Sequence, residues 1–171
     1  NSASASEITA AALHQNSQIP LVGEKSFGKG TVQNVGEMSS NKELKLTVAK
    51  WLTPDGTWIN HKGLTPDVKV AYPAAAKITL INATQLKPGD KGSDVKSLQQ
   101  MLKALKIGSA TVNGQYDDAT QAAVKSFQEA NKLDASGTAD QDTLAALAQK
   151  LSDQLTKDDP MVAAAVKEVT K

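Results

Sequence analysis

The chain has 171 residues, a formal net charge of +1, 40% hydrophobic and 22% charged residues, which suits a globular protein with one sizeable domain or two small ones. All 19 basic side chains are lysines, so the arginine forks that read phosphates and base edges are missing and nucleic acid is not an expected partner. Cysteine is absent and the two histidines lie far apart, so neither disulfides nor a metal site is expected, and no residue pattern calls for a cofactor.

No apolar run approaches the roughly 20 residues that span a bilayer. The chain starts at Asn1, without methionine, close to what reads as a helix start. Upstream sequence is therefore expected, and any anchor or export signal is expected to lie there.

In chain order, Ser4-Ala5-Ser6-Glu7 is a capping-box pattern ahead of Ile8, Ala11, Ala12 and Gln15. It predicts a helix over 4–16 with small residues on its packed face. Pro20 ends that helix, and Leu21 to Glu24 reads as a short buried strand entering the turn Ser26-Phe27-Gly28-Lys29-Gly30. Residues 31–35 and 43–52 read as strands, because Leu44, Leu46 and Val48 alternate with Lys45, Thr47 and Ala49. Each is expected to bury one face. Thr53-Pro54-Asp55-Gly56 is a turn, and residues 58–70 read as an extended segment broken by Gly63 and Pro66.

Residues 73–83 read as a linker, followed by three amphipathic helical patterns. The first carries Val95, Leu98, Leu102 and Leu105 after Ser93 as N-cap, the second Ala123, Val124 and Phe127, the third Leu144, Leu147 and Leu151. A weak internal repeat is visible, since Gly114 precedes Thr120 by the same six residues that separate Gly137 from Thr143. Asp159-Pro160 opens a last helical pattern with Val162, Ala165, Val166 and Val169 as an apolar stripe. That stripe is expected to pack on the first domain or on another chain.

Taken singly, Ser4 reads equally as a capping serine paired with Glu7, and Gly28-Lys29-Gly30 as a solvated turn. Taken together, Ser2-Ala3-Ser4-Ala5-Ser6-Glu7-Ile8 and Val22-Gly23-Glu24-Lys25-Ser26-Phe27-Gly28-Lys29-Gly30-Thr31-Val32-Gln33 resemble two blocks of the carboxy-terminal processing proteases, and their separation also fits. The resemblance covers the first 70 residues. It implies that Ser4 is the nucleophile of a serine endopeptidase, that Lys29 is its general base, and that Gln33 belongs to the site.

The residue types suit that chemistry. A serine hydroxyl needs a base, and a lysine can act as one only where burial keeps some of its amine neutral. On an extended strand residues 29, 31 and 33 face one side, so the Gln33 amide can orient Lys29. Ser4 at a helix start places the Ala5 N–H and the positive end of the helix dipole where an oxyanion would form. The resemblance implies a second oxyanion donor from a glycine-containing loop upstream. His14 is excluded as the base, because it lies ten residues, about 15 Å, along the same helix. Gln15 stands where some relatives carry an acid, so no aspartate is assigned. His61 and Trp58 are expected to serve packing.

Residues 86–151 resemble a peptidoglycan-binding module of three short helices, through Gly92-Ser93-Asp94-Val95, Leu98-Gln99, Asn113-Gly114-Gln115-Tyr116, Thr120, Ala123-Val124, Phe127-Gln128, Gly137 and Thr143-Leu144. Eight lysines balance eight acids in 84–151, so no charged patch argues for an anionic wall polymer. Saccharide binding and a structural or dimer-forming role both remain open.

The reading is thus an α/β protease core fragment, ClpP/crotonase-like by resemblance, then a small all-α three-helix domain and a C-terminal helix. Its parts are 1–72, the C-terminal part of a serine protease catalytic domain; 73–83, a linker; 84–151, the helical domain; and 152–171, a helical tail. The parent is expected to be an extracytoplasmic serine endopeptidase acting on protein or peptide substrates, with peptidoglycan and a homodimer as candidate partners. The competing reading is a wall-binding or dimerising module with an inert protease remnant. The chain alone is expected to be inactive and to leave the 21–52 strands with open edges.

Overall fold

A computed structural model describes residues 2–38 and 42–170. They fall into two units, one of residues 1–72 with 160–171 and one of residues 73–159.

In the first unit α1 (Ala5–Ser17) buries Glu7 and Ala11. Behind it, β1 (Val22–Gly23) pairs in parallel with β4 (Val68–Lys69), and the carboxylate of Asp67 takes the Leu21 N–H at 2.7 Å. Two further strands, β2 (Thr31–Met38) and β3 (Lys42–Lys50), form a separate antiparallel hairpin. Its register slips between Val32 and Gln33, where the partner jumps from Ala49 to Thr47 and leaves Val48 as the extra residue of a bulge.

Among the described residues the strands thus form two separate pairs, β1 with β4 and β2 with β3. The expected buried face of the hairpin is absent. Val35, Leu44, Leu46 and Val48 are each 44–57% exposed, because no described element packs on either side of these strands. Alternation predicted the strands correctly but says nothing about whether a cover exists.

Most of residues 58–70 is turn and loop, with only Val68–Lys69 in a strand. Buried Ile59 anchors this loop. The last helix, α5 (Pro160–Val169), meets β1, with Met161 against Gly23. Val162, Val166 and Val169 are exposed, so the packed face lies one residue away from the predicted stripe.

The second unit is built on α2 (Ser93–Ala104), α3 (Asp118–Ala130) and α4 (Gln141–Lys157). Val95, Leu98, Leu102, Val124, Phe127 and Leu147 are 2% exposed or less and share one core. Each such side chain contributes about 1.5–3 kcal/mol. Gly92 rather than Ser93 is the N-cap of α2, and Asp117 and Asp140 cap α3 and α4 by accepting from the N–H of Thr120 and Thr143. Residues 74–77 form a 3-10 turn whose Ala75, with Ile78 and Ile81, packs on this core, so part of the presumed linker belongs to the unit. α4 runs on to Lys157, past the boundary at 151 read from the sequence.

The glycine–threonine repeat acquires a physical meaning here. Fully buried Gln99 accepts from the N–H of Asn113 and Gly114 and donates to Asn113 Oδ1, the Gln115 carbonyl and the Thr120 hydroxyl. Fully buried Gln128 repeats the device, accepting from the Gly137 N–H and donating to the Thr138 carbonyl and the Thr143 hydroxyl. In both copies a glutamine ties the turn before a helix to that helix's first turn. The two turns are themselves linked, since the buried Tyr116 hydroxyl donates to the Gly137 carbonyl at 2.9 Å.

Candidate functional site

Ser4 sits at the N-cap of α1 with φ 60° and ψ −122°, a conformation that costs a residue with a side chain of order 1–3 kcal/mol. Its backbone is held by Glu7 and by the Ile8 N–H, which donates to the Ser4 carbonyl at 3.2 Å. Its N–H donates to Glu7 Oε2 at 2.8 Å, and its carbonyl accepts from the Glu7 N–H at 2.9 Å. Ala5 is the first residue of the helix, so its N–H is one of the donors that a helix start leaves unpaired at its positive end.

Lys29 lies in the turn that precedes β2. Gly28 and Gly30 on either side are buried while the lysine is exposed. The turn is held against the 58–63 loop. His61 N–H donates to the Gly28 carbonyl at 2.8 Å, Trp58 Nε1 to the Gly30 carbonyl at 2.7 Å, and Gly30 N–H to Asn60 Oδ1 at 3.2 Å. A Cβ on Gly28 would come within 2.7 Å of Gly63 N, and one on Gly30 would collide with the Asn60 backbone. Both glycines are there because another backbone passes too close for any side chain. Trp58 thus holds this turn with its side chain, whereas His61 contributes only its backbone N–H and is exposed.

The two blocks meet at Glu7. Its side chain has no exposed surface, and its carboxylate accepts four hydrogen bonds. Oε2 takes the N–H of Ser4 at 2.8 Å and of Lys29 at 2.9 Å; Oε1 takes the N–H of Gly28 at 2.7 Å and the hydroxyl of Ser26. Burial alone would push this carboxyl up, but the bonds from Ser26, Gly28, Lys29 and Ser4 outweigh it and hold the group below its ordinary value. The backbones of Ser4 and Lys29 therefore share one acceptor atom. The sequence offered Glu7 only as the second half of a capping box.

Gln33 lies on β2, exposed, and its Nε2 donates to Thr47 Oγ1 across the hairpin at 3.4 Å. Among the described residues it makes no hydrogen bond to Lys29. His14 is occupied elsewhere, with Nδ1 3.0 Å from the Ile19 carbonyl and 3.5 Å from Asp67 Oδ2. Gln15 accepts from the Asp55 N–H at 3.1 Å. A cavity of about 390 Å³ borders Glu7, Ala10, Ser26 and Met161, but neither Ser4 nor Lys29 lines it. No group of three His, Cys, Asp or Glu side chains among the described residues is placed to hold a metal.

Comparison with known proteins agrees with this two-part layout. Residues 1–70 match the model of peptidase family S41, and residues 91–147 match that of a family described as "Putative peptidoglycan binding domain". The chain thus joins a stretch similar to peptidase family S41 to a small helical domain similar to the putative peptidoglycan-binding family. Over nearly its whole length the chain is similar to curated proteins named as carboxy-terminal processing or CtpA-like serine proteases. It is 45% identical over 99% of its length to carboxy-terminal processing protease CtpA of Bacillus subtilis, covering 36% of that protein. It is 36% identical over 94% of its length to a "Probable CtpA-like serine protease" of Staphylococcus aureus, covering 33% of it. Among solved structures, a photosystem II D1 C-terminal processing protease is 43% identical over 40% of this chain and 18% of that one, with a TM-score of 0.34. The chain spans about a third of the length of the curated relatives it matches.

Proposed function

We propose that the polypeptide carrying this chain is a serine endopeptidase of the carboxy-terminal processing type, acting by acyl transfer. Ser4 attacks the scissile carbonyl, Lys29 takes its proton and later returns it to the leaving amine, and the Ala5 N–H receives the developing oxyanion. Gln33 positions Lys29 once its amide leaves Thr47. The observation that carries this reading is the single oxygen of Glu7 that takes the N–H of both Ser4 and Lys29, two residues 25 apart in sequence. The strained backbone of Ser4 supports it as well, since such strain concentrates at working sites.

Lys29 is exposed in the structure, and a lysine base needs a dry setting. Desolvation would come from bound substrate and from catalytic-domain segments of the kind the longer relatives carry. On this reading the first unit is part of a ClpP/crotonase-like core, and the exposed hairpin β2–β3 joins the rest of that sheet. A protein or peptide is the substrate, the enzyme works at the cell envelope outside the cytoplasm, and the helical domain is its candidate contact with peptidoglycan. Replacing Lys29 with alanine in the full-length polypeptide should abolish cleavage of an unfolded protein. Retained turnover would refute the Ser4–Lys29 pairing.

A further inference from the structure

The Glu7 carboxylate has more to do than cap a helix. A capping box asks its glutamate for one bond, to the N-cap N–H. Here that bond is one of four, and the other three go to the turn that carries Lys29. The oxygens are divided so that one bridges the two segments while the other holds the lysine turn alone. The direction of every bond is fixed. Gly28, Lys29 and Ser4 offer N–H groups that can only donate, and Ser26 Oγ already accepts the Leu64 N–H at 2.6 Å, which leaves its own proton for Glu7. Four donors converge on a site where only an ionised carboxylate supplies enough acceptors.

We propose that ionised Glu7 is a positioning residue of the peptidase, setting the separation of the Ser4 and Lys29 backbones through its shared oxygen. This deepens the Ser4–Lys29 reading and rests on it. A neutral amide of the same shape fails, because whichever way Gln is turned its NH2 faces two donors. If the NH2 replaces Oε2, Ser4 and Lys29 are pushed apart. If it replaces Oε1, Gly28 and Ser26 are released and the turn carrying Lys29 loosens. Aspartate keeps the charge but is one methylene shorter and cannot reach both segments.

Two measurements test this. In the full-length polypeptide Glu7→Gln should lower kcat about 100-fold, the cost of misplacing reacting groups by roughly 1 Å, with KM unchanged because the substrate-binding surface is intact. A wild-type kcat would overturn the proposal. The second needs no variant and no activity. In the 171-residue chain the amide proton resonances of Ser4, Gly28 and Lys29 should follow one common curve on acidification, matching that of the Glu7 carboxyl. Independent titrations, or no response at Lys29, would overturn the proposal even if Glu7→Gln were inactive through misfolding. Failure of the underlying reading looks different: Lys29→Ala would keep its activity while the three amides still titrated together.

Discussion

Replacing Gln99 with leucine tests whether the buried glutamines, rather than the apolar stripe alone, hold the helical unit together. Leucine matches the side chain in size but leaves the N–H groups of Asn113 and Gly114 without their acceptor, and the Thr120 hydroxyl and Gln115 carbonyl without a donor. A buried group that loses its partner costs about 1–3 kcal/mol. Two orphaned N–H groups therefore place the loss near 2–5 kcal/mol once the gain from burying leucine is set against it. Gln128→Leu orphans a single N–H, that of Gly137, and should cost about half as much. Amide hydrogen exchange of Leu98, Leu102, Val124 and Leu147, all in the core, reads both losses as reduced protection in the whole chain. Equal losses, or a larger one for Gln128→Leu, would refute the donor-and-acceptor argument.

The carboxyl of Glu7 is held below its ordinary value, so its contribution is complete above the value it has when unfolded and is lost as pH falls through the folded one. Urea unfolding of the first unit, followed by fluorescence of Trp51 and Trp58, should shift to lower urea on acidification. Glu7→Gln should flatten that dependence without removing it, since hydrogen bonds to Thr53 and Thr57 lower Asp55 as well. Gly30→Ala should cost about 1–3 kcal/mol, because its Cβ meets the Asn60 backbone and displaces the turn carrying Lys29. Gly36→Ala, with open space around it, should unfold as the wild type does.

Local patterns gave away most elements, and the residues that join them were hidden. The α1 capping box, the α2–α4 stripes and the Pro160 helix start were legible because each depends on neighbours in sequence. Glu7 was legible only in part, since its three partners at Ser26, Gly28 and Lys29 lie about 20 residues away and no local rule points to them. The glutamines were similar. The equal Gly114–Thr120 and Gly137–Thr143 spacings were visible, but the side chain that makes each spacing matter, Gln99 or Gln128, sits on the preceding helix. Alternation in β3 was misleading about burial, because it records a face suited to packing and not the presence of a cover. Gln33 faces Thr47 through a bulge that period-two counting cannot foresee.

The most direct test of the central claim is to treat the full-length polypeptide with a fluorophosphonate, which phosphonylates only an activated serine, and to locate the adduct by mass spectrometry. One adduct on Ser4, lost when Lys29 becomes alanine, is the predicted result. An adduct on another serine, or undiminished labelling of Ser4 without Lys29, would contradict it.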